Sequence, residues 1–136
     1  MRTKLGIIIL IIFIVSLTTV IIIDNLTPIH VSAYTLAQDY SNNADIANRK
    51  YLNRNVEVTG SVKAFYKIMN TRNVLELNTK VSSQNLFCFF TSQPTETKAG
   101  SLIQGQNITV EGKCLGNESY NFVKGIKIDV DKIIFK

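Results

Sequence analysis

The chain has 136 residues, with 15 Lys and Arg against 10 Asp and Glu and an apolar share of 46%. That length leaves room for one domain. From Asp24 onward 13 Lys and Arg face 10 Asp and Glu, a mild and scattered excess. Its longest basic run is Arg49-Lys50, with Arg54 nearby, which excludes a polybasic tract that would make phosphate binding the default reading.

Leu5 to Ile23 holds 19 residues without a charge, mostly isoleucine. At about 1.5 Å rise per residue such a helix nearly spans a bilayer core. Arg2 and Lys4 precede it and Asp24 follows, so the positive end stays cytoplasmic and residues 24–136 lie outside. A signal-peptide core is the alternative, because Val31-Ser32-Ala33 supplies small residues for a peptidase. The apolar run is long for that role, and the candidate cut lies well beyond its end. The expected division is an anchor over 1–23, a spacer over 24–31 and a folded domain over 32–136.

Ser32 is a candidate N-cap, with Thr35 and Gln38 offering a capping-box pair one turn on. Ala33, Leu36, Ala37, Tyr40, Ala44, Ala47 and Tyr51 then fall on one face of an amphipathic helix of about 20 residues. Asn53-Arg54-Asn55 ends it. Val56 to Val62 alternates apolar and polar, the period of a half-buried strand, with Gly60 at an inward position. The same pattern recurs over Ile108 to Cys114, with Gly112 in the matching place. Between them, Val74 to Asn78 reads as a second strand. Leu86 to Phe90 is a continuous apolar run, consistent with a strand covered on both faces by the helix lying outside it. Pro94 to Ile103 reads as a short helix or an ordered loop, and Pro94 would suit a first-turn position. Gly116 to Ser119 reads as a loop and Lys124-Gly125 as a second break, before Ile126, Ile128 and Val130 alternate inward on the last strand.

The order is helix, three strands, a helical connection and two strands. It predicts a mainly β protein: a five-stranded Greek-key OB-fold barrel preceded by the amphipathic helix and the N-terminal transmembrane helix. An SH3-like barrel is the runner-up and would not need the helical connection. Asn43, Ala47 and Tyr51, then Val56-Glu57-Val58-Thr59-Gly60, Cys88 followed by aromatics, Gly105, and Ile108 through Gly116 give the segment from Ser32 onward a resemblance. It resembles the tRNA-anticodon-like OB-fold family of bacterial membrane-anchored or secreted proteins. The resemblance implies fold and location, and brings no catalytic residues with it.

No HExxH, CxxC, GxSxG or phosphate-loop pattern occurs, and the single histidine, His30, falls in the spacer. No nucleophile and base can be assembled, so the expectation is a protein that is not an enzyme and takes no metal or cofactor. Cys114 is in phase with the inward residues and Cys88 lies mid-strand. In an oxidising compartment they are a disulfide candidate; two buried free thiols are the alternative.

OB barrels bind across their second and third strands, flanked by the loops after the first and fourth. Here those regions hold Tyr66, Lys67, Asn70, Arg72, Tyr120, Phe122 and Lys124. Aromatic and basic residues together suit base stacking with phosphate neutralisation, but the outside location disfavours nucleic acid. The expected partners are the membrane, through residues 5–23, and a protein, glycan or envelope ligand. A structural envelope protein without a ligand there, and an oligonucleotide-binding protein of reversed topology, are the alternatives.

Overall fold

A computed structural model describes residues 6–15, 27–68, 72–120 and 123–135. Residues 6–15 form a helix. The folded part then runs β1 (Ile29–Ser32), α1 (Ala33–Asn42), α2 (Ala44–Tyr51), β2 (Asn55–Ile68), β3 (Arg72–Leu77), β4 (Leu86–Phe90), α3 (Gln93–Gly100), β5 (Asn107–Tyr120) and β6 (Val123–Phe135).

The two strands that share a sequence pattern pair with each other. Antiparallel registry sets Val56 opposite Gly112, Val58 opposite Val110 and Gly60 opposite Ile108. The second half of β2 pairs with β3, β3 with β4, β4 in parallel with β6, and β6 with β5. Five strands therefore follow one another from β2 round to β5, and the β2–β5 ladder returns to the start. Inward residues of that circuit, among them Val56, Val58, Leu75, Leu86, Val110 and Ile128, form one buried cluster. At Gly112 the β5–β6 register shifts, and a Cβ there would lie 2.0 Å from the carbonyl oxygen of Asp129. Only a bare backbone lets β6 approach so closely.

The amphipathic segment forms two helices instead of one. Asn43 leaves helical geometry at φ −159°, and its Oδ1 accepts the N–H of Ile46 at 3.0 Å, capping α2. Ser32 caps α1 as expected, accepting the N–H of Thr35 at 2.9 Å. Ala33, Leu36, Ala37, Tyr40, Ala47 and Tyr51 join the same cluster as the inward strand residues, while Ala44 is exposed. The helix pair thus adds to the main core and does not lie over the outside of β4. A separate cluster of Val74, Phe87 and Phe89, with Tyr66 packed against it, covers that outer side.

Three other expectations change. The end of the spacer is a strand: β1 pairs in parallel with β2, and His30 Nδ1 sits 3.3 Å from Glu57 Oε1. The expected loop over 116–119 and the break at 124–125 belong to one long β5–β6 hairpin, with Gly116 at φ +83° beside a second register shift. The sequence there is rich in glycine and polar residues, yet cross-strand pairing overrides local turn preference. Cys88 and Cys114 are free thiols. Both face Ile128, one from β4 and one from β5, so β6 runs between them. Two strand spacings put their backbones about 10 Å apart, beyond the roughly 7 Å a disulfide spans.

Of the expected transmembrane span, the described residues cover 6–15. Ile7 through Val15 are all exposed there, by 52–67%. Among the described residues no helix is long and apolar enough to cross a membrane.

Candidate ligand-binding face

The outer face of β3 and β4 is built by register. One row across the sheet runs Tyr66, Val74, Phe89, Asp129 and Lys113; the next runs Ala64, Glu76, Phe87, Lys127 and Gly116. Alternation turns these residues away from the core, except Gly116, which follows a register shift and faces Tyr40 and Leu52 of the helices.

Apolar and charged groups interlock on this face. Val74, Phe87 and Phe89 are at most 5% exposed. Glu76, 8% exposed, lies beside them, with Lys63 Nζ 2.7 Å from its Oε1 and the Tyr66 hydroxyl donating to its Oε2 at 3.4 Å. Burial, with the Glu76 carboxylate second, pushes the Tyr66 phenol up to about 12, so it remains a donor. Lys127, 6% exposed, reaches Glu118 at 3.3 Å. The hydrogen-bonded carboxylate and covered rings leave little of the centre open to a planar base. The more open side chains lie at the margins: half-buried Tyr66 and Asp129 and exposed Lys67, Lys113 and Lys124.

The expected site residues are only partly brought together. Tyr66 and Lys67 lie near the end of β2, opposite Val74 and Asn73. Arg72 begins β3 opposite Ile68; Tyr120 ends β5 opposite Val123, and Lys124 pairs with Ser119. Asn70 and Phe122 lie outside the described residues. Tyr66 and Lys67 therefore belong to one hairpin and Tyr120 and Lys124 to the other. Sequence reasoning passed over Lys63, Glu76, Glu118 and Lys127, although alternation already placed Glu76 outward between Leu75 and Leu77. Among the described residues no three His, Cys, Asp or Glu side chains gather as metal ligands.

The family model described as tRNA_anti-like matches residues 1–124. The chain belongs to the tRNA_anti-like family. No curated protein matches it. Solved structures resemble its fold. A "putative nucleic acid-binding lipoprotein" from Klebsiella pneumoniae subsp. pneumoniae MGH 78578 is 15% identical at a TM-score of 0.55, covering 77% of this chain and 92% of that one. A "putative aspartyl-tRNA synthetase" from Leishmania major Friedlin is 12% identical at a TM-score of 0.55, with 80% of this chain covered. This chain spans only 21% of that synthetase. An OBody bound to hen egg-white lysozyme is 11% identical at a TM-score of 0.52, covering 62% of this chain and 83% of that one. The fold of this tRNA_anti-like chain is OB-like and mainly β.

Proposed function

We propose that this tRNA_anti-like chain is a membrane-tethered, extracytoplasmic binding module that is not an enzyme. Residues 1–23 are its anchor, 24–31 its spacer and 32–136 its helices and five-stranded Greek-key barrel. The observation that carries the tether is the helix over residues 6–15, whose large apolar side chains from Ile7 to Val15 are all exposed. So much apolar surface without cover calls for lipid. The similarity to a Klebsiella protein named as a lipoprotein supports envelope association.

The ligand face is the outer side of β3 and β4 with the two hairpin ends, Tyr66, Lys67 and Arg72 on one and Tyr120 and Lys124 on the other, and Asn70 and Phe122 join them on sequence grounds alone. Its covered rings and alternating charges favour a protein ligand read at the margins over a stacked oligonucleotide. A second reading, oligonucleotide binding, draws on the printed name of the Klebsiella protein and on those same aromatic and basic residues.

Protease treatment of intact cells and, separately on untreated cells, crosslinking capture test the proposal. Expected are cleavage of the domain from outside, and a crosslinked protein lost on combined Tyr66→Ala, Arg72→Ala and Tyr120→Ala substitution with folding retained. A shielded carboxyl terminus with captured RNA or DNA supports the second reading. A capture pattern unchanged by the three substitutions removes the ligand face altogether.

A further inference from the structure

The edge of β2 carries a second concavity, lined by none of the candidate ligand residues above. β1 leaves the edge of β2 at the Ser32–Thr59 pair, and β3 joins that edge only at Leu77–Val62. Gly60 and Ser61 lie in the gap. A hollow of about 400 Å³ opens there, with Ala33, Tyr34, Gly60, Ser61, Lys80 and Asn107 among its walls. A neighbouring hollow of about 260 Å³ shares Asn78 and Lys80 with it. The larger volume falls within the roughly 300–1,000 Å³ of small-molecule sites.

Ser32, Thr59 and Asn78 of the lining already bond to Thr35, Thr109 and the Lys80 N–H, and the other polar walls are uncommitted. Among the described residues the side chains of Tyr34, Ser61, Lys80 and Asn107 have no hydrogen-bond or ion-pair partner. Tyr34 is 46% exposed, its ring available at the rim. Lys80 is held at φ +57°, its N–H donating to Asn78 Oδ1 at 3.1 Å. No carboxylate lines either hollow, and the other lysine, Lys63, is already paired to Glu76. Gly60 adds no side chain to the wall, and a Cβ on it would press toward the core, 2.9 Å from the Ala33 Cβ and 3.6 Å from Leu77 Cδ1.

We propose that this hollow binds an acidic saccharide. An exposed aromatic ring takes the apolar face of a pyranose, while hydroxyl and amide groups pair with its ring hydroxyls. One unopposed ammonium takes the acid group through a charge-assisted hydrogen bond. The site rests on the cavity alone and not on the membrane reading or on the β3–β4 face.

The test is a titration of the full ¹⁵N-labelled chain in lipid nanodiscs with D-glucuronate, D-glucose and sodium acetate, read by amide shifts. Expected are saturating shifts at Tyr34, Gly60, Ser61, Lys80 and Asn107 with glucuronate. Glucose binds roughly tenfold more weakly and acetate does not saturate, as the loss of one charged contact implies. Lys80→Gln brings glucuronate down to the glucose level, and Tyr34→Ala or Asn107→Ala, both exposed, weakens both sugars. Acetate matching glucuronate, no shift at these residues, or shifts confined to the β3–β4 face each overturns the proposal. Loss of membrane association or of crosslinked protein, without loss of these shifts, counts against the earlier reading alone.

Discussion

At Gly112 an added methyl group would meet the Asp129 carbonyl oxygen at 2.0 Å and Val130 Cα at 2.8 Å, both backbone. Neither can step aside without opening the β5–β6 ladder. Gly112→Ala should therefore cost about 3 kcal/mol or more in urea unfolding. Gly105→Ala, at φ +85° in open space, should cost only about 1–2 kcal/mol. Equal costs would mean that β6 does not pass so close. Asp39 offers a different single-residue test. The Tyr51 hydroxyl donates to its Oδ2 at 2.6 Å and Lys50 Nζ lies 3.0 Å away. Chiefly the Tyr51 hydrogen bond holds the Asp39 carboxyl below its ordinary value of 3.8. A depressed carboxyl stabilises the fold above its unfolded value, and that share is lost as pH falls through the folded value. Tyr51→Phe should lower stability at pH 7 by about 1–2 kcal/mol and flatten the acid limb below pH 4. A limb as steep as in the unsubstituted chain counts against the link. The thiols complete the residue scale. Burial pushes Cys88 up to about 12 and raises Cys114 as well. Alkylation should leave both untouched in the native protein and add two groups after unfolding without reductant. A bridged mass refutes the strand placement.

Between α1 and α2 one side chain decides whether the segment is one helix or two. Asn43 caps α2 through Ile46, so Asn43→Ala should destabilise by about 1 kcal/mol. It should also raise helix content slightly by circular dichroism, because the break is no longer held. Unchanged helix content would show that the break is imposed by the core and not by the cap. The sequence carried both halves of this device, the amphipathic face and the asparagine, but helical spacing alone runs through position 43 without a signal to stop. The same limit explains β1. His30 and its neighbours carry no alternation long enough to read, and their strand character comes from parallel pairing with β2, a contact between segments about 27 residues apart. The strand pattern of Val56–Val62 and Ile108–Cys114 was legible because one face is buried and the period is two. So were the phases of Gly60 and Gly112, though not what stands opposite them. The covered face of β4 was also legible as an apolar run, but not its cover. Nothing local distinguishes a helix from the Tyr66 and Val74 side chains of neighbouring strands. Composition picks out the residues at the hairpin ends as candidates only, while the paired centre of the face is not readable at all, since the Lys63–Glu76 and Lys127–Glu118 pairs join residues nine or more positions apart.

The chain as a whole combines a domain whose apolar residues are mostly enclosed with a helical segment whose apolar residues are not. Ile9 is 60% exposed and Ile12 is 64% exposed, against 0% for Ile126 and Ile128 in β6. The same residue type is thus enclosed in one part of the chain and exposed in the other, and lipid is the proposed cover for the exposed part. Replacing Ile9 and Ile12 by arginine separates them. On an insertion scale each exchange costs about 3–4 kcal/mol at the centre of a membrane helix, so the pair costs about 6–8 kcal/mol. Partitioning should fall by about four orders of magnitude or more. Flotation with phosphatidylcholine vesicles should therefore carry the unsubstituted chain and leave Ile9→Arg/Ile12→Arg behind. The urea unfolding midpoint of the domain should not move, since neither side chain belongs to its core. If both chains float alike, lipid is not what the exposed helix meets. If neither floats but only the unsubstituted chain self-associates, the apolar helix pairs with a second copy and the tether fails. Only loss of flotation with an unchanged midpoint fits an anchor that holds the domain to a membrane without contributing to its fold.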